Sequence, residues 1–221
     1  MEIRKFRRAY DLELIPASHE AISLGDLVWD PVFGPPAFNR KGMPNTIFSA
    51  FLDAGLLDQE EWTTFHQECR QTPLVDARLA TRTVDVDLEV VSELQHPRFG
   101  KIEGEFLREN LSKFTFGDLQ VRTMHDLLRV RVDAYLEELK AGHWSAYDGR
   151  IRRVFMITEL YYGAIKLVVE KRFSNELESR LKDLHIEAKF KTESSHAVEY
   201  AFSHEQVPFA MRIERIRNFN G

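Results

Sequence analysis

Thr83-Val84-Asp85-Val86-Asp87-Leu88-Glu89-Val90 alternates apolar and polar residues over eight positions. Successive side chains of a β-strand point to opposite faces. A period of two therefore puts Val84, Val86, Leu88 and Val90 on one face and Asp85, Asp87 and Glu89, about 7 Å apart, on the other. This is the clearest strand in the chain, and it predicts a sheet with one face in a core and the other in water. A turn around His96-Pro97-Arg98-Phe99-Gly100 leads to a weaker partner over Lys101–Phe106, and alternation returns at Lys113-Phe114-Thr115-Phe116. Thr123 opens a predicted helix carrying Met124, Leu128, Val132, Tyr135, Leu136 and Leu139 on one side, with Gly142 placed to end it.

Val154 to Val169 is rich in β-branched and aromatic residues and reads as two strands, or one long bent strand, around Gly163. Ser174 is placed to cap a short helix bearing Leu177, Leu181 and Leu184. The segments Ile186–Lys191, Val198–Phe202 and Phe209–Glu214 alternate again. Upstream, Leu12–Ile15 reads as a strand stopped by Pro16, and Ser23–Trp29 is a second short apolar stretch. Residues 30–37 hold three prolines and read as a loop. Asn45-Thr46 can cap a helix with Ile47, Phe48, Phe51 and Leu52, ended by Gly55. Asp58 and Glu61 have capping-box spacing for a second helix bearing Trp62 and Phe65. The order predicts an α+β fold: a single domain over residues 1–221, with a central twisted, mainly antiparallel sheet and helices packed around it.

A chain of 221 residues that is 43% hydrophobic can bury a sizeable core. The formal net charge of −5 gives no overall attraction to nucleic acid, so no nucleic-acid partner is expected. A single cysteine, Cys69, excludes an internal disulfide, and the start Met1-Glu2-Ile3-Arg4-Lys5 has no apolar signal core, so a cytoplasmic location is expected. Val154–Val169 is interrupted by Glu159, Gly163 and Lys166 and falls short of the roughly 20 apolar residues of a membrane-spanning helix.

The chain lacks the serine-elbow, P-loop and dinucleotide-binding signatures and the compact histidine spacings of zinc sites. No cofactor and no enzymatic activity are expected. Weaker candidates remain. Cys69 and His66, three residues apart on a helix, could form a nucleophile and base, or simply be a buried thiol beside a surface imidazole. Asp85, Asp87 and Glu89 could hold a cation or line an aqueous channel, or form the solvated face of a sheet. Glu159 lies in an apolar run and needs a turn or a cation partner if it is not a catalytic acid. Tyr161 and Tyr162 could stack a ligand or belong to the core, and a site assembled from Glu159, Tyr161 and His185 would make the chain an enzyme. Arg4, Lys5, Arg7 and Arg8 interleave with Ile3 and Phe6, a pattern that suits an amphipathic turn on an anionic lipid surface or a solvated terminus.

The opening, Phe6 followed by Asp11-Leu12-Glu13-Leu14-Ile15-Pro16 and Ile22-Ser23-Leu24-Gly25-Asp26-Leu27-Val28, resembles the start of the pore-forming domain of the gasdermin family, as in its compact bacterial and fungal members. Val154–Lys171, the helix from Ser174, the strand Ile186–Lys191 and the closing Val207-Pro208-Phe209-Ala210-Met211-Arg212-Ile213 resemble the family's second strand–helix–strand unit and last strand. Thr81–Phe116 would be the first such unit. The resemblance implies a cell-death effector, monomeric or a small oligomer in solution, that moves to the inner face of the cell membrane. There it would form a homo-oligomer on anionic lipid and insert hairpins from residues 81–116 and 154–200. It implies Arg4, Lys5, Arg7 and Arg8 as lipid contacts. It also implies Val84, Val86, Leu88, Val90, Phe114, Phe116, Val154, Met156, Ile165, Leu167, Ile186 and Phe190 as residues of the inserting strands.

Two features depart from the family. Residues 2–10 lack the acylatable cysteine of bacterial members. Gly221 follows the last expected strand closely, which leaves little room for an inhibitory C-terminal segment, so an inhibitory or activating protein partner is one expectation and a non-pore relative another. The reading outside the family is a non-enzymatic protein-interaction or immunity module that uses its sheet edge or the loop at Pro36.

Overall fold

The computed structural model describes residues 2–15, 22–29, 38, 44–77, 83–86, 110–142, 154–183, 187–204 and 208–216. The helices are α1 (Glu2–Tyr10), α2 (Ile47–Asp53), α3 (Gln59–Gln71), α4 (Asp126–Gly142) and α5 (Ser174–Asp183). The strands are β1 (Glu13–Leu14), β2 (Leu27–Trp29), β3 (Val75–Asp76), β4 (Thr83–Val86), β5 (Leu111–Thr123), β6 (Val154–Glu170), β7 (Phe190–Glu193), β8 (Ala197–His204) and β9 (Ala210–Arg215). They form a sheet with the path β1-β9-β6-β5-β3, in which β2 and β8 also pair with β6, β4 with β5, and β7 with β8. The pairs β2–β6, β3–β5, β4–β5, β6–β8 and β7–β8 are all antiparallel. The fold is α+β, as the period changes predict.

The chain divides into two compact units. The first comprises Met1–Ala21, Val75–Val121 and Tyr161–Ala210. Its core joins Val84 and Val86 of β4, Phe114 and Phe116 of β5, Ile165, Leu167 and Val169 of β6, Val198, Tyr200 and Phe202 of β8, and Leu177 and Leu181 of α5 in one apolar cluster. Phe116 stacks on Phe209 with ring centroids 3.9 Å apart. Gly163 sits where β6 meets β5 closely: a Cβ there would lie 3.0 Å from Phe116 Cβ and 3.2 Å from the Gly117 carbonyl oxygen.

The second unit comprises Ile22–Leu74, Arg122–Leu160 and Met211–Gly221. Here α2 and α3 form the predicted helical pair. Thr46 Oγ1 accepts the Ser49 N–H at 3.0 Å, and Asp58 and Glu61 close a reciprocal capping box. Phe48 and Phe65 stack at 5.1 Å, and the Arg131 guanidinium of α4 lies 4.1 Å from the centre of the Phe65 ring. Gly25 has φ +85°, and a Cβ on it would come within 2.5 Å of the Phe48 ring. Both the backbone sign and the ring require glycine there.

Four expectations are corrected. Thr123 ends β5, and α4 begins at Asp126, although Met124, Leu128, Val132, Leu136 and Leu139 are buried as the helical face requires. The stretch 113–116 lies in a 13-residue strand, Leu111–Thr123, that continues through Gly117-Asp118, where Asp118 adopts φ +46°, and Phe114, Thr115 and Phe116 are all buried. Ser174 does not cap: its hydroxyl donates to the Lys171 carbonyl across a 3₁₀ turn that runs directly into α5. The strand expected over Ile186–Lys191 runs over Phe190–Glu193 instead, because its register is set by Phe190 opposite Ala201 and Lys191 opposite Tyr200. Pro16, the loop at 30–37, Leu88, Val90, the turn at 96–100, the strand over 101–106, Leu184, His185 and Ile186 lie outside the described residues.

Candidate functional site

The alternation read from Thr83 onward holds where it is described: Thr83 and Asp85 are exposed, and Val84 and Val86 are buried. Register carries the same face across the sheet, because Val84 lies opposite Phe116 and Val86 opposite Phe114. On the other side of the unit Leu167 lies opposite Tyr200 and Val169 opposite Val198. Val84, Val86, Phe114, Phe116, Ile165 and Leu167 are thus gathered into one cluster in the first unit. The opposite face is polar at Asp85 and Lys113, which pair at 3.1 Å while both stay more than half exposed. Such a pair is worth at most about 1 kcal/mol.

Val154 and Met156 are buried in the second unit, opposite Trp29 and Leu27 of β2, and do not join that cluster. β6 therefore has two characters. Residues 154–164 are buried on nearly every position, whereas Ile165, Leu167 and Val169 alternate with the less buried Lys166, Val168 and Glu170. A register shift between Ala164 and Lys166 marks the change. Phe190 has its backbone in β7, with its side chain outside the described part; Leu88, Val90 and Ile186 lie outside it altogether.

The basic segment is helical, as its spacing predicts, but Phe6 on it is already used. Phe6 is 6% exposed in the first unit's core, with its ring 4.9 Å from that of Tyr10. The Tyr10 hydroxyl accepts the Asp85 N–H of β4 at 3.1 Å. Arg7 forms an ion pair with Glu13 on β1, with Nη2 donating at 2.6 Å, and Arg8 is exposed. Burial pushes the Glu13 carboxyl up, against the pull of Arg7. The side chains of Arg4 and Lys5 lie outside the described part. Phe6 is therefore a core residue and not a lipid-facing one.

The catalytic candidates resolve on their surroundings. Burial, with Asp26 and Glu68 nearby, pushes the Cys69 thiol up to about 12, where it stays protonated and a poor nucleophile. The His66 ring sits 3.2 Å from the Trp62 carbonyl, and burial lowers its pKa. Glu159 pairs with Arg212 Nη1 at 2.9 Å, the cation partner its apolar run demands. Tyr161 is part of the first unit's core, Tyr162 is buried, and His185 lies outside the described residues. Among the described residues no group of three or more His, Cys, Asp or Glu is placed to hold a metal ion.

No protein-family model and no curated protein matches the chain. One solved structure that does match is a bacterial gasdermin from Bradyrhizobium tropiciagri, at 13% identity and a TM-score of 0.47. The match covers 97% of this chain and 85% of that one. The chain is similar to that protein at this level. No residue role is transferred from it. No helix among the described residues is long and apolar enough to cross a membrane.

Sequence reasoning missed one apolar surface. Leu127 and Val130 of α4 are 71% and 65% exposed, and they line a groove with Pro73, His125 and Arg131 in the second unit. Their offset from the buried Leu128 and Val132 was readable as a second, outward stripe on the same helix.

Proposed function

We propose that the chain is a membrane pore-forming effector that oligomerises on anionic lipid and inserts hairpins from residues 81–116 and 154–200. The observation that carries this reading is the alternating face that Val84, Val86, Phe114, Phe116, Ile165 and Leu167 build across β4, β5 and β6. A strand that is apolar on one side and polar on the other can meet a core and water in solution, or lipid and an aqueous lumen in a bilayer, provided that neighbouring subunits close its edges. Tilted spanning strands need about 9–11 residues. Only Leu111–Phe116 of β5 falls within the first segment, and β6 alternates only from Ile165 to Glu170, so both hairpins must lengthen before they can span. Arg4, Lys5 and Arg8 on α1 supply the lipid attraction, at about 1 kcal/mol per cation near a charged bilayer. Arg7 contributes only if it exchanges Glu13 for lipid.

Dye release from vesicles containing anionic phospholipid tests this directly. Release is expected from the wild-type chain and is expected to fall at least tenfold when Arg4, Lys5 and Arg8 are changed to glutamate. Release from neutral vesicles at the same rate would remove the lipid assignment, and intact vesicles of every composition would remove the pore. The exposed Leu127 and Val130 favour a second reading, a protein-interaction module, which that last outcome would promote.

A further inference from the structure

One helix in the first unit is held differently from the strands beside it. α5 has ten residues, too few to persist as an isolated helix, and its buried side chains are Ser174, Leu177 and Leu181. An open groove of about 610 Å³ runs beside it, lined by Glu178, Leu181 and Lys182 of the helix with Glu187, Ala188, Lys191 and Tyr200. Besides the two leucines, a polar cluster drawn from three elements joins α5 to the sheet among the described residues. The Tyr200 hydroxyl of β8 donates to Glu178 Oε1 at 2.9 Å and lies 3.3 Å from the Ser174 carbonyl at the start of the helix. Lys191 of β7 reaches the same Glu178 oxygen at 2.7 Å and Glu193 at 2.7 Å. Lys191 lies opposite Tyr200 in the strand register, and its ammonium sits 5.9 Å above the Tyr200 ring. A buried aromatic ring, a cation over it and a carboxylate beside both thus lock one helix to two strands.

We infer that α5 undocks from the first unit as a separate piece, and that Tyr200, Glu178, Lys191 and Glu193 form the latch that sets how often it does so. The strands under it are held otherwise. Ile165, Leu167 and Val169 of β6 are wholly buried, and Lys166 to Glu170 pair with β8. Opening of α5 therefore leaves β6 in place, a sub-global event of lower cost than unfolding. Its consequence for membrane insertion rests on the pore-forming reading above: α5 lies between β6 and β7, so a hairpin from 154–200 can lengthen only after this latch has opened.

Hydrogen–deuterium exchange of the intact chain, read on peptides from α5 and from residues 165–169 of β6, tests the latch. In the wild type, α5 amides are expected to exchange at least tenfold faster than those of β6. Tyr200→Phe, which keeps the ring, should speed α5 roughly tenfold, with β6 unchanged. If that variant does not fold, Glu178→Gln at the surface serves, with an expected gain of about threefold. A single common rate for α5 and β6 in the wild type, or α5 rates unaltered in the folded variants, would overturn the latch. Dye release is read separately. Faster α5 exchange with no release from anionic vesicles keeps the latch and removes the pore, whereas release with unaltered α5 exchange does the reverse.

Discussion

Asp26 is the residue whose ionisation reaches furthest into stability. It lies in the short turn where the Ser23 N–H donates to its carboxylate at 2.8 Å, while its backbone carbonyl accepts the Ile157 N–H at 2.9 Å. Burial pushes its carboxyl up to about 7, with Ser23 and Arg70 pulling the other way. The native state then keeps a proton that the unfolded chain has already released near pH 4. Stability from this group is complete below about pH 4 and is lost as pH rises to about 7, on the order of 4 kcal/mol in total. Asp26→Asn should flatten this fall, so that urea unfolding at pH 8 shows the variant more stable than the wild type and at pH 4 shows no such gain. Cys69 yields a second expectation at this scale. A protonated, 3% exposed thiol should react with a maleimide only as fast as the second unit opens, and reaction at the rate of a free thiol in the native protein would contradict its placement. The buried thiol was one of the two readings the sequence offered for Cys69, whereas the Asp26 environment was not legible in it. Asp26 stands in an ordinary turn-like stretch, and the groups that meet it there, the Ile157 N–H on its carbonyl and the Arg70 charge, come from far along the chain. The pairing of Glu159 with a cation was legible, because a carboxylate inside an apolar run has few other outcomes.

At the scale of elements, local chemistry was read well and long-range pairing was not. Thr46, Asp58 and Glu61 cap α2 and α3 where their spacing placed them, since capping involves residues three apart. Asp58→Ala should therefore cost about 1 kcal/mol in chemical denaturation, with helix content at α3 lowered and the strands unaffected. The start of β7, by contrast, depends on which residue faces Tyr200, and the clean alternation over 186–191 had no means of fixing that. β6 was half legible. A continuous apolar run announces a strand covered on both faces, but whether Gly163 divides it is set by Phe116 and Gly117 on β5, against which the glycine backbone packs. β5 hid its length behind Gly117-Asp118, which has the composition of a turn and serves as an irregularity within one strand.

For the whole molecule, charge and pattern point in different directions. The formal net charge is −5, so attraction to an anionic bilayer must be local, and the proposed contacts place it on α1. Such attraction acts within a Debye length of about 8–10 Å at moderate salt. Vesicle binding measured by flotation should consequently fall severalfold between about 0.05 and 0.5 M salt. Binding that is insensitive to salt would indicate apolar insertion, which the buried Phe6 argues against. The alternating strands that predicted an α+β fold also define the candidate site, and that double use explains why the fold was more legible than the function: alternation is required by any half-buried sheet, whatever it later does.

The position of β6 in the chain has a consequence for synthesis. Two of its neighbours, β2 and β5, precede it, while β8 and β9 follow and are complete only at Arg215. A ribosome adding about 5–20 residues per second leaves the longest described strand with one edge unpaired for several seconds. During that interval the nascent chain offers a chaperone, or another nascent copy, a 17-residue β-template. Yield in the cell should therefore respond to chaperone supply and to translation speed through codons 170–215 more than to the stability of the finished fold.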